Sequence, residues 1–313
     1  MAHPNRKFRK QRLIRVILRG GLGNQLFQYF GALDLANELN ARLQLDTSLL
    51  PNTSILREGK VSVFSNGLSA LKVKASFTRS KWYQFLPEAL VRRLLTMYYQ
   101  IDRMLGSLKF FQGRRAHRFS SNLELELKPN LPKDKNIVVN HAFLNPYVFD
   151  YPQNRTLPKQ LKPLHPSTWY LESLESIRKN SPAAIHVRLG DHEYLDPSFD
   201  INFFRKGIAH TKKANLNSEF WVFSDDTVKA KRLMGELTDN LFFVVPPPES
   251  SPLESLLLMA NCKTILTSRS SYSWWAGTIG AHLGAEVVIK EAWTSDGRTP
   301  EFFRRLPREW IVI

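Results

Sequence analysis

Between residues 168 and 290 the chain alternates regularly between helical spacing and short apolar runs, and that alternation restricts it to a parallel sheet with helical crossovers. The spacing predicts helices near 168–179, 200–213, 227–235, 252–260 and 273–282. Strands are predicted over 183–188, 219–224, 241–245, 263–267 and 286–290. The expected fold class is α/β, a doubly wound domain whose ligands sit beyond the carboxyl ends of the strands.

The N-terminal part opens the same way. Leu13, Ile14, Val16, Ile17 and Leu18 read as a strand, and Leu26, Phe27, Phe30, Leu33, Leu35 and Ala36 fall near helical spacing. Between them stands Gly20-Gly21-Leu22-Gly23-Asn24-Gln25. Such a turn lets backbone N–H groups approach a phosphate with the positive end of a helix dipole behind them. The same glycines also serve close strand-to-helix packing, and both readings stay open. No Gly-Lys-Ser/Thr ending follows, so the turn is not a P-loop, and Asn24, Gln25 and Leu26 break the dinucleotide Gly-x-Gly-x-x-Gly pattern.

Arg42 to Leu45 form the next predicted strand, with Asp46 at its carboxyl end, and residues 52–80 show only weak pattern. From Pro87 to Phe111 apolar positions recur at helical spacing among Arg92, Arg93 and Arg103, and Lys109, Arg114, Arg115, His117 and Arg118 form a basic cluster. A helix of that kind faces a core with a solvated basic side, or lies on an anionic membrane surface. Ile137 to Asn140 read as a strand; Pro152, Pro158, Pro163 and Pro166 then mark a boundary. The predicted organisation is a basic tail over residues 1–12, one domain over 13–155 and a second over 156–313.

Lys and Arg number 44 against 28 Asp and Glu, a surplus of 16 that favours an anionic partner. Nucleic acid, acidic lipid and an anionic small substrate share that chemistry. Charge alone supports nucleic acid, whereas the polar motifs cluster at strand ends and no nucleic-acid-binding module is recognisable, so no nucleic-acid partner is expected. Cys262 is the single cysteine, which excludes an intramolecular disulfide and a cysteine-built zinc site and suits a reducing cytoplasm. No run of eighteen apolar residues occurs, so neither a secretory leader nor a spanning helix is expected, and the sequons at Asn52 and Asn154 carry no weight.

Three polar motifs fall at predicted strand ends: His186-Val187-Arg188-Leu189-Gly190-Asp191, Phe223-Ser224-Asp225-Asp226 and Ser268-Arg269-Ser270-Ser271-Tyr272-Ser273-Trp274-Trp275. His186 and Arg188, two apart on a strand, share one face. A guanidinium there can hold a phosphate by two parallel hydrogen bonds, or close a local ion pair with Asp191. Asp225 and Asp226 could ligate a metal, accept from a ribose or base, or cap a helix. Ser270, Ser271 and Ser273 open a predicted helix whose N-terminus suits phosphate, with Trp274 and Trp275 expected to pack.

Taken together and in order, these motifs are similar to those of the alpha-1,2-fucosyltransferases of glycosyltransferase family eleven. The resemblance rests on Gly-Gly-Leu-Gly-Asn-Gln-Leu-Phe-Gln-Tyr at 20–29, His-x-Arg-x-Gly-Asp at 186–191, Phe-Ser-Asp-Asp at 223–226, Ser-Ser-Tyr-Ser-Trp-Trp at 270–275, and Asp46-Thr47. It implies a GT-B type enzyme, two Rossmann-like domains with the active site in the cleft between them. It also implies GDP-fucose as donor, inversion at the anomeric carbon, no metal or other cofactor, and an oligosaccharide or lipid-linked glycan acceptor entering from the N-terminal domain. Carried over by motif, Gly21, Gly23, Asn24 and Ser271 approach the diphosphate, with Ser270 and Ser273 beside them. Arg188 neutralises departing GDP, and His186 with Asp225 or Asp226 holds the guanosine. His141, Asp191 and Asp46 are candidate general bases by position. The chain departs from the family pattern at Leu189, at Arg269 and at Phe143-Leu144-Asn145-Pro146, so acceptor and linkage do not carry over.

Overall fold

The computed structural model describes residues 12–48, 50, 55–57, 60–62, 65–79, 116–119, 136–139, 161–189, 200–268, 270–290 and 309–313. Two parallel sheets organise the chain. The first comprises β1 (Leu13–Ile17), β2 (Arg42–Asp46), β5 (Ser76–Thr78), β6 (Ala116–Phe119) and β7 (Asn136–Val139) in the order β5-β2-β1-β7-β6. A short antiparallel hairpin, β3 (Ile55–Arg57) with β4 (Lys60–Ser62), stands apart from it. Helix α1 (Leu22–Glu38) joins β1 to β2.

The second sheet runs β10-β9-β8-β11-β12-β13, with β8 (Ala183–Val187), β9 (Phe220–Ser224), β10 (Leu241–Phe243), β11 (Thr264–Leu266), β12 (Glu286–Ile289) and β13 (Ile311–Val312). Its helices are α2 (Thr168–Asn180), α3 (Ile201–Ala214), α4 (Thr227–Met234), α5 (Pro252–Ala260) and α6 (Ser271–Leu283). Every pairing in both sheets is parallel. Counted along the chain, the six strands lie in the order third, second, first, fourth, fifth, sixth. The order therefore reverses between β8 and β11, and the strand ends open a crevice there.

Local chemistry sets the helix ends. Ser167, Asp200, Asp226 and Ser270 cap α2, α3, α4 and α6 by accepting from Tyr170 N, Asn202 and Phe203 N, Lys229 N and Tyr272 N. Gly284 closes α6 at φ +95°, a conformation that glycine adopts without strain. The buried carboxylate of Glu254 accepts from Ser251 N at 3.1 Å and from Ser167 N at 2.6 Å, which ties the starts of α5 and α2 together. Strand β8, Ala-Ala-Ile-His-Val, is buried at each position, as a central strand covered on both faces must be.

The core crosses between the sheets. Phe27 of α1 lies 4.8 Å from the Trp274 ring and 4.9 Å from Trp275, and Phe30 lies 5.3 Å from Trp275. Both tryptophans are fully buried, so they pack, as the sequence suggests. The ten elements predicted over 168–290 are all present. The weakly patterned region 52–80, where short strands were an option, holds β3, β4 and β5, whereas β6 and β13 were not legible, because four- and two-residue segments are too short to show a period. The predicted helix over 87–111 and the proline-marked boundary near 155 lie outside the described residues.

Candidate active site at the junction of the two sheets

The glycine run is partly turn and partly helix. Gly20 has φ +72°, where an L side chain is strained, and a Cβ there would lie 2.6 Å from Asn24 Nδ2. Helix α1 starts at Leu22, so Gly23 and Asn24 belong to its first turn. A Cβ on Gly23 would stand 2.5 Å from Tyr272 N and 2.6 Å from Ser271 C. The start of α1 is thus pressed against the start of α6, which explains the packing use of this glycine. Ser271 Oγ donates to Asn24 Oδ1 at 2.9 Å, and Trp275 Nε1 donates to Gly23 O at 2.9 Å.

Two helix N-termini meet here, each carrying partial positive charge on its unbonded N–H groups. Acidic residues commonly offset that charge, yet neither first turn contains one. Bringing two positive helix ends together with no carboxylate in either first turn creates a place where an anion lowers the energy.

The carboxyl ends of β8 and β9 supply the rest. Arg188 Nε lies 3.2 Å from Asp225 Oδ2, and Asp225 Oδ1 accepts from Leu189 N at 2.8 Å. Asp225 therefore holds the guanidinium with one oxygen and the adjacent backbone with the other. About a quarter of each side chain in the Arg188–Asp225 pair remains exposed, so water screens it and its role is orientation more than stability. His186, buried, spans the reversal of strand order with Nδ1 2.6 Å from Ser268 Oγ. Its ring centroid lies 5.5 Å from that of Tyr272. Burial pushes the Tyr272 phenol to a raised pKa, against which nearby hydrogen bonds and the Arg188 charge act in the lowering direction. Tyr272 thereby places the α6 start beside His186.

Gly21, Gly23, Asn24, His186, Arg188, Asp225, Ser270 and Ser271 thus gather at one junction. Asp226 turns to its own helix, accepting Lys229 N at 2.9 Å. Ser270 spends its hydroxyl capping α6, and the fully buried Ser273 donates to Ser268 O and Ser270 O. Asp46 is buried, with Oδ1 accepting Ser48 N at 3.0 Å. His141, Asp191 and Arg269 lie outside the described residues. Among the described residues no group of three or more His, Cys, Asp or Glu is placed to hold a metal ion, and no helix is long and apolar enough to cross a membrane.

Sequence reasoning missed Gln25, Glu254 and Tyr272. Gln25 and Gln28 sit three apart among the apolar residues Leu26, Phe27, Tyr29 and Phe30, and that polar pair on a buried face was the available signal.

Two parallel α/β sheets meeting across their strand ends define a glycosyltransferase fold of the GT-B type. In agreement, the crystal structure of NodZ alpha-1,6-fucosyltransferase soaked with GDP-fucose superposes with a TM-score of 0.51 at 16% identity, covering 86% of this chain and 93% of that one. Residues 171–313 match the model of glycosyl transferase family 11, and the family resemblance read from the motifs is borne out. Over 308 residues the chain is 23% identical to an alpha-1,2-colitosyltransferase of Escherichia coli, covering 95% of this chain and 97% of that protein. It is also 23% identical over 300 residues to the O-antigen biosynthesis glycosyltransferase WbnK of Escherichia coli, covering 88% and 93%.

Proposed function

We propose that the chain transfers L-fucose from GDP-fucose, with inversion, to a hydroxyl of a glycan acceptor, O2 of a galactose being the favoured position. The observation that carries this reading is the meeting of two acid-free helix N-termini beside Arg188 at the reversal of strand order. A nucleoside diphosphate leaving group accumulates charge as its bond to the sugar breaks. Fixed dipoles and a guanidinium held in place stabilise that charge without reorganising. In the proposed step the acceptor oxygen attacks the anomeric carbon, the bond from that carbon to the β-phosphate oxygen breaks, and the electron pair leaves on GDP. The hydroxyl proton passes to a base, for which His141 and Asp191 are the sequence candidates; Asp46 is engaged in its own turn.

Residues 156–313 form the donor side in this reading and 13–155 the acceptor side. A second reading keeps the site and changes the sugar: the colitosyltransferase relative favours another deoxysugar carried on a nucleotide. A reducing cytoplasm is the proposed place of action, with the basic segments 1–12 and 87–111 as contacts to an anionic membrane carrying lipid-linked acceptor. Release of nucleotide is the deciding measurement, with GDP-fucose, GDP-colitose, GDP-mannose and UDP-sugars offered beside a panel of galactosides. Release from GDP-fucose together with an alpha-1,2 linked product supports the first reading. Release from GDP-colitose alone selects the second, and release from none removes both.

A further inference from the structure

Gln25 is wholly buried, and its amide is engaged on both ends. Nε2 donates to Gly20 O at 2.7 Å and to Ser65 O at 2.9 Å, while Oε1 accepts from Gly67 N at 3.0 Å. We propose that Gln25 is a positioning residue which sets the direction of the Gly20–Gly21 peptide and thereby makes the turn attractive to a phosphate. The inference rests on the donor reading above and deepens it.

The argument is geometric. In a planar trans peptide the C=O and N–H point in opposite directions. With the Gly20 carbonyl drawn onto a buried amide, the Gly21 N–H is turned away from the interior. A flip of this peptide turns ψ of Gly20 and φ of Gly21; glycine populates positive and negative φ about equally, so at Gly21, where φ is −71°, the chain itself offers little resistance to it. A flipped peptide would aim carbonyl lone pairs where a diphosphate oxygen must sit. The same amide fastens residues 65–67, and Gly67 lies against Leu22, where a Cβ would be 3.0 Å from Leu22 Cδ1. Turn, first helical turn and the 65–67 segment are therefore held as one unit. Gln28 performs a separate service one turn later, accepting Arg19 N at 3.0 Å and donating to Arg19 O at 3.3 Å.

Three variants test this in the full chain. Gln25→Met keeps the length but makes no hydrogen bond, Gln25→Glu keeps the shape but faces two carbonyl oxygens, and Leu33→Ala weakens the same helix away from the turn. Calorimetry with GDP is expected to show about tenfold weaker binding for Gln25→Met, in line with lost hydrogen bonds, and a larger loss for Gln25→Glu. The donor KM should rise with kcat changed far less, while Leu33→Ala binds GDP within about twofold of the parent. Parent-like GDP affinity in folded Gln25→Met, or an equal loss in Leu33→Ala, overturns the proposal. If Gln25→Met does not fold, Gln25→Glu carries the same comparison. If the parent itself does not bind GDP, the donor reading fails, and a crystal structure of the variant decides this inference alone: an unchanged Gly20–Gly21 peptide refutes it, a reversed one upholds it.

Discussion

Ser271 Oγ donates to Asn24 Oδ1 at 2.9 Å between residues 247 apart in the chain, joining the first turn of α1 to the first turn of α6. With the Gly23 backbone against Ser271 and Tyr272, this bond fixes the spacing of two positive helix ends. Function and stability therefore draw on the same contact.

Gly23→Ala should damage both. A methyl group 2.5 Å from Tyr272 N meets backbone that cannot turn aside, so the helices must separate. Overpacking of this kind costs about 1–3 kcal/mol. Thermal melts should show the loss, and GDP affinity should fall with it.

Arg188→Ala should reduce kcat by about a hundredfold to a thousandfold, the usual effect of removing one positioned charge stabiliser. Arg188→Lys should recover only part, because an ammonium cannot hold Asp225 and a phosphate oxygen in one plane. Steady-state kinetics on purified variants decide; near-parental turnover in Arg188→Ala would reject the assignment.

The aromatic junction predicts a purely structural loss. Phe27→Ala should destabilise by about 3–5 kcal/mol, since Phe27 is buried between Trp274 and Trp275 and its removal leaves a cavity. Denaturant titration should show a lower midpoint with little change in slope.

Asp200 gives the acid limb of stability. Burial pushes its carboxyl up, yet the Lys290 ammonium 2.5 Å away and the N–H groups of Phe203 and Asn202 outweigh burial, so its pKa lies below the ordinary aspartate value. A carboxylate lowered on folding contributes stability above its unfolded pKa, and that contribution is lost as pH falls through the folded value. Asp200→Asn should therefore lower stability at neutral pH and flatten its decline below about pH 4, the ordinary aspartate range. Melting temperature measured against pH checks both.

Much of the site was legible before any coordinates. His186 and Arg188 could be placed on one strand face, and Asp225 and Ser270 beyond neighbouring strands, because parallel strands gather their carboxyl ends on one edge. Their partners were not legible. The ion pair read from the motif joined Arg188 to Asp191, and spacing gives no sign that Asp225 holds the guanidinium; it left Asp226 open between ligand binding and the helix cap it makes, and gave no sign that Ser273 braces its own helix.

Periodicity alone settled the alternation of strand and helix, because the repeats of 2 and 3.6 residues are properties of the backbone and leave their mark on every long element. The meeting of α1 with α6, the clamp of Gln25 on Gly20 and Ser65, and the union of two cores through Phe27 and Trp275 came from elsewhere. Each joins residues with no local periodicity in common, at distances set by how two sheets pack, and packing is a property of the assembled chain.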